Sequence, residues 1–159
     1  MEITTPADDR ILITREFDAP RHLVYRAWTT PELVKRWWAG HRGTTTKVEM
    51  DLRPGGRWRY VLETNDGAEV GFHGEYREIV PNERIVSTEV YEGLPAGVSD
   101  EEGGTVNTAT FAETGGRTTL TLLVQAANKV SRDAIIDSGM EAGLQDALSL
   151  LEQTAISLG

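Results

Sequence analysis

The chain has 159 residues, 39% hydrophobic and 26% charged, and its 16 Lys and Arg against 25 Asp and Glu leave a formal net charge of −9. That is one domain's length, and four Trp, four Tyr and a steady supply of Val, Ile and Leu can fill a core, which excludes a disordered chain. The lack of cysteine removes disulfides, thiolate zinc sites, iron–sulfur clusters and a cysteine nucleophile, and an acidic chain without a Lys/Arg cluster is a poor partner for nucleic acid.

The first ten residues are polar and read as a flexible N-terminus ahead of one domain spanning 11–159. They lack the apolar stretch of a signal peptide, and nothing approaches the ~20 apolar residues of a membrane span, so a cytoplasmic protein without a membrane partner is expected. Ile11 to Phe17 reads as a strand. Asp18 is placed to cap a helix carrying Pro20 in its first turn, with Leu23, Val24, Ala27 and Trp28 at helical spacing. Thr30-Pro31 starts a second short helix through Leu33, Val34 and Trp37.

From Thr44 the period becomes two. Thr46, Val48 and Met50 alternate with charged neighbours up to the Arg53-Pro54-Gly55-Gly56 turn, and Trp58, Tyr60 and Leu62 give the next strand an aromatic face. Asn65-Asp66-Gly67 is a hairpin signal. Val70 to Val80, Arg84 to Tyr91, Thr105 to Glu113 and Arg117 to Val124 complete six consecutive strands, an antiparallel meander. Its one long connection, Glu92 to Gly104, holds four Gly and the acidic Asp100-Glu101-Glu102 run. Ser131 is a plausible N-cap for one helix running to the C-terminus, with Ile136, Met140, Leu144, Ala147, Leu148, Leu151 and Ala155 on one stripe. At ~1.5 Å per residue it spans about 40 Å, longer than the strands, so the sheet is expected to curl around it.

Strand, two short helices, six antiparallel strands and a long helix is the order of the α+β helix-grip fold of START and Bet v 1-like proteins. Phe17-Asp18-Ala19-Pro20, Trp28-Thr29-Thr30-Pro31-Glu32, Trp37-Trp38, Asp51-Leu52-Arg53-Pro54-Gly55-Gly56, Asp66-Gly67, Gly74-Glu75-Tyr76-Arg77-Glu78-Ile79-Val80-Pro81, Arg84-Ile85-Val86 and Gly116-Arg117-Thr118 resemble, in order, the Hsp90 ATPase activator homologue 1-like family of the SRPBCC superfamily. The resemblance implies a gap between the concave sheet and the C-terminal helix that holds a small apolar molecule without catalysis. It places the mouth at Glu63 to Glu69, Glu92 to Gly104 and Ala126 to Arg132, and leaves a chaperone-interaction module and a polyketide cyclase or aromatase-type enzyme as alternatives. The co-chaperones proper carry a further N-terminal domain, for which ten residues before Ile11 leave no room. The assembly expected is a monomer or homodimer.

Alternation assigns the lining to Val48, Met50, Trp58, Tyr60, Leu62, Phe72, Tyr76, Val90, Phe111, Leu120 and Leu122 on strands, with Met140 and Leu144 on the helix and Trp38 at the rim; the same residues are equally a core list. Gly139 and Gly143 are read as mid-helix glycines at a close approach. His22, His41 and His73 lack metal spacing, and no serine sits in a Gly-x-Ser-x-Gly motif, so no catalytic residue, metal or cofactor is expected. Acid–base candidates are Tyr60, Tyr76, His73 and Glu89, with the strand alternation setting His73 and Glu89 outward.

Overall fold

Alternating apolar residues separated by tight turns can satisfy their backbone only by pairing with strand neighbours, and here they do so in one continuous antiparallel sheet. The computed structural model describes residues 1–93 and 104–159. Eight strands, β1 (Glu2–Ala7), β2 (Arg10–Phe17), β3 (Gly43–Met50), β4 (Arg57–Thr64), β5 (Glu69–Val80), β6 (Arg84–Tyr91), β7 (Thr105–Thr114) and β8 (Arg117–Gln125), lie in the order β1-β2-β8-β7-β6-β5-β4-β3. Between β2 and β3 stand the short helices α1 (Arg21–Thr29) and α2 (Pro31–Trp37); after β8 come α3 (Lys129–Asp137) and α4 (Met140–Ser157). This is the α+β helix-grip architecture, with the sheet bent by irregular registers between Thr45 and Lys47 in β3 and between Tyr76 and Glu78 in β5.

Three expectations change. The first ten residues are not a loose tail, since Glu2, Ile3, Thr4 and Ala7 pair with Thr14, Ile13, Leu12 and Arg10. Only Ile3 and Ala7 turn partly inward, and Pro6 is tolerated because the strand is a sheet edge. Asp18 does not cap α1: Pro20 holds that position, while the Asp18 N–H donates to a Glu152 carboxylate oxygen at 2.8 Å. The single long C-terminal helix is two helices. Asn128, not Ser131, caps α3, its Oδ1 accepting the Ser131 N–H at 2.9 Å, and Gly139 at φ +85° breaks the path before α4 begins.

The core lies between the sheet and α4. Ala147, Leu148, Leu151 and Ala155 press onto Phe17, Val24, Val34, Phe111 and Leu120, all buried. Each of the Val, Leu and Phe side chains among them contributes about 1.5–3 kcal/mol by leaving water. Two buried polar groups tie the helices down: the Trp37 indole N–H donates to the Ala27 carbonyl at 3.0 Å, and the Thr118 hydroxyl to the Ala19 carbonyl at 2.7 Å. These bonds fix α1 and α2 across one end of the sheet, which leaves the other end of the groove less filled.

Gly74 makes a close contact across the sheet possible at that end. A Cβ there would overlap the Thr88 carbonyl oxygen and stand 2.7 Å from the Trp58 indole nitrogen. Its absence lets Trp58, cross-strand from Gly74, donate to the Thr88 carbonyl at 3.0 Å over the intervening strand.

Candidate functional site

Where the core stops, a cavity of about 350 Å³ opens between the sheet and the α3–α4 corner. That is at the small end of the ~300–1,000 Å³ typical of ligand sites. All four tryptophans, Trp28, Trp37, Trp38 and Trp58, border it. Trp38, just past the end of α2, meets Tyr60 and Phe72 edge-on, with ring centroids 5.3 and 5.7 Å away, and Trp58 lies 4.9 Å from Tyr60. Edge-on and tilted arrangements at these separations are favourable for aromatic pairs. The opposite wall is Ile135, Ser138, Gly139, Met140, Gly143 and Leu144, so the break in the C-terminal helix is part of the cavity's rim.

Of the residues assigned to the lining from sequence, Trp38, Met50, Trp58, Tyr60, Phe72, Tyr76, Leu122, Met140 and Leu144 border the cavity. Leu62, Phe111 and Leu120 are buried away from it, and Val48 packs part-buried against the core. Val90 lies on the outer face of the sheet, beside His73.

Glu89 corrects the sequence reading most. It points into the cavity, because β6 is phased by Ile85: Ile85, Ser87 and Glu89 share the inner face, and their cross-strand partners Ala109, Asn107 and Thr105 share it too. The apolar residues Val86 and Val90 occupy the alternate positions, which is why hydrophobicity alone assigned the strand to the wrong phase. A signal was nonetheless present, since Ile85 aligned with the core would have turned Glu89 inward.

The result is a polar strip on an otherwise apolar wall. Thr105 donates its hydroxyl to Asn107 Oδ1 at 2.9 Å, which leaves the Asn107 Nδ2 to donate to the Glu89 carboxylate. Burial raises the Glu89 carboxyl above its ordinary pKa, and the Asn107 hydrogen bond opposes that only in part. The Tyr60 hydroxyl donates to that of Tyr76. Burial pushes Tyr60 well above the phenol range and Tyr76 up to about 12, so both stay neutral.

The other charged lining residue is Arg42, between α2 and β3. Its Nε donates to the Ala39 carbonyl at 3.2 Å, and its guanidinium lies on α4 over Gly143, where a Cβ would come within 3.2 Å of Nη1. Next to it, Asp146 accepts the His41 backbone N–H at 2.6 Å and meets the His41 ring Nδ1 at 2.6 Å. These contacts with His41 lower the Asp146 pKa, and Arg42 adds to the effect. Neither Arg42 nor this clamp was read from the sequence, where Gly143 and Arg42 stand a hundred residues apart without a local motif.

The outer face differs in kind. His73 points outward, as the alternation indicated, and its Nδ1 lies 2.9 Å from Glu92, which also takes a two-pronged contact from Arg59 at 2.9 and 2.8 Å. Among the described residues, no three His, Asp or Glu gather as a metal site, and no helix is long and apolar enough to cross a membrane. The acidic run Asp100-Glu101-Glu102 of the expected mouth loop lies outside the described residues.

The crystal structure of a Rhodobacter sphaeroides protein superposes with a TM-score of 0.88 at 24% identity, covering 98% of each chain. One from Nitrosomonas europaea gives 0.84 at 22%, covering 96% of this chain and 97% of the other. One from Chromobacterium violaceum gives 0.79 at 28%, covering 94% and 98%. No curated protein matches the sequence. The profile described as "Activator of Hsp90 ATPase homolog 1-like protein" matches residues 18–155, nearly the whole length over which the sequence motifs were found. With fold and sequence in agreement, the chain belongs to the activator of Hsp90 ATPase homolog 1-like family.

Proposed function

We propose that the protein binds a small, mainly apolar molecule in the cavity between the sheet and α4. The observation that carries this reading is the inward placement of all four tryptophans around a cavity of about 350 Å³. Packing that served only stability would close such a space, since protein interiors approach the density of organic crystals. The same placement weighs against a chaperone-interaction module of the kind the family name suggests, because the tryptophans, a residue type that anchors protein interfaces, are here turned to the cavity.

The tryptophans also supply the test. Titration with propylbenzene, naphthalene or 1-octanol is expected to change tryptophan emission saturably. It should also raise the melting temperature by about 5 °C or more at a hundredfold excess over Kd. Leu144→Phe, which fills part of the cavity, should weaken both responses. A flat emission and an unmoved melting temperature with every probe would overturn the proposal.

An enzyme of the cyclase or aromatase type is the second reading, and one observation favours it: Glu89, Tyr60 and Tyr76 place ionisable groups inside the cavity. Its mark would be turnover lost in Glu89→Gln while binding of a neutral ligand survives.

A further inference from the structure

We infer that the ligand is a small hydrocarbon or aromatic molecule carrying a protonated amine, with the ammonium against Glu89 and the apolar body among the tryptophans; this rests on the cavity-binding reading above. The argument begins with what Glu89 lacks. Its side chain opens onto the cavity, where the Asn107 amide is its hydrogen-bond partner. Among the described residues no Lys, Arg or His lies within ion-pair distance of it. A carboxylate has about four acceptor sites, and the Asn107 amide takes one of them.

Charge in such a place is costly unless a partner enters with the opposite sign. An ammonium is that partner. It brings several N–H donors to a group that only accepts when ionised, and the Trp58 and Tyr60 rings that border the same cavity are of the kind that attracts cations. Arg42 does not compete for the carboxylate. It is held on the helical side of the cavity by Ala39 and Gly143, within the field of Asp146. The net charge of −9 favours the approach of a cation and disfavours an anion.

Four compounds of nearly one shape separate the possibilities: phenethylammonium, 2-phenylethanol, propylbenzene and 3-phenylpropionate, titrated calorimetrically into the intact protein near neutral pH. Phenethylammonium is expected to bind about tenfold or more tighter than propylbenzene. Glu89→Gln should erase that preference and leave propylbenzene and 2-phenylethanol within about twofold of their wild-type affinities, which also shows the variant to be folded. A preference for the ammonium that survives in Glu89→Gln would overturn the assignment, as would tightest binding of 3-phenylpropionate, which would make Arg42 the anchor. If the neutral compounds bind and the ammonium does not, this inference fails alone. If none of the four binds, the cavity-binding reading fails with it.

Discussion

Glu89 and Glu92 stand three residues apart at one end of β6, and the protein treats their carboxyls in opposite ways. Glu89, on the inner face, has lost water and gained an amide donor, so its pKa is raised. Glu92, on the outer face, meets the Arg59 guanidinium and the His73 ring and is held down to about 2. Both are glutamates on one short segment, so the difference comes from the pleat and the curl of the sheet. The outer face is a solvated surface that pairs its charges within itself. The inner face keeps an uncompensated carboxyl in an aromatic cavity, an arrangement that costs stability and so points to function.

The contrast depends on the sheet remaining bent between the two sites, and Gly74 is where it is most exposed to change. Gly74→Val would drive a branched side chain into the Thr88 carbonyl and the Trp58 indole, breaking the bond that ties β4 to β6. Overpacking of this kind costs about 1–3 kcal/mol, and the lost hydrogen bond adds about 1 kcal/mol. Urea denaturation should therefore show the largest loss of any variant considered, with tryptophan emission shifted in the folded state. Stability within about 0.5 kcal/mol of wild type would mean that the close contact at Gly74 can be relieved.

A smaller effect of opposite sign is expected at Glu89. A carboxyl whose pKa is raised by folding holds its proton more tightly in the folded chain. The wild type is then most stable where Glu89 is protonated, and loses stability as pH rises from the ordinary carboxylate range through the raised value. Glu89→Gln keeps an acceptor for Asn107 and has no charge to lose. Its melting temperature should match wild type near pH 4 and exceed it, by a few degrees, as the pH rises through the raised value. A gap that does not change with pH would show that Glu89 is not desolvated.

How much of this was legible in the sequence varies by region for physical reasons. In β4 and β5 the aromatic residues Trp58, Tyr60, Phe72 and Tyr76 all occupy one face, so period-two alternation put them together on the inner side, while leaving cavity wall and solid core equally open. In β6 valines sit on the outer face and Ser87 and Glu89 on the inner one, so the same rule inverted the strand. The C-terminal stripe misled in another way. Ile136, Met140 and Leu144 recur every four residues straight through Gly139, so apolar spacing carries no mark of a break that is made by one left-handed glycine. The β1 edge strand was missed because it buries too little to leave a pattern. Register, curvature and the Arg42–Gly143 contact arise from distant residues meeting, and no local window holds that information.

The smallest expected effect tests whether the two glutamates are as separate as the fold implies. Glu92 has its pKa depressed by Arg59 first and His73 after it, so its contribution is present above the ordinary carboxylate pKa and is lost as pH falls through about 2. The pair lies at a wetted surface, so Glu92→Gln should cost no more than about 1 kcal/mol near neutral pH, less at high salt, and progressively less as the solution is acidified below about pH 5. Combined with Glu89→Gln, its effect should simply add. The side chains leave opposite faces of the sheet and share no partner, so a double-mutant cycle at neutral pH should give a coupling below about 0.5 kcal/mol. A larger coupling would mean that the outer Arg59 reaches Glu89 electrostatically through the sheet, which would place a compensating cation behind the cavity wall and remove the reason for one in front of it.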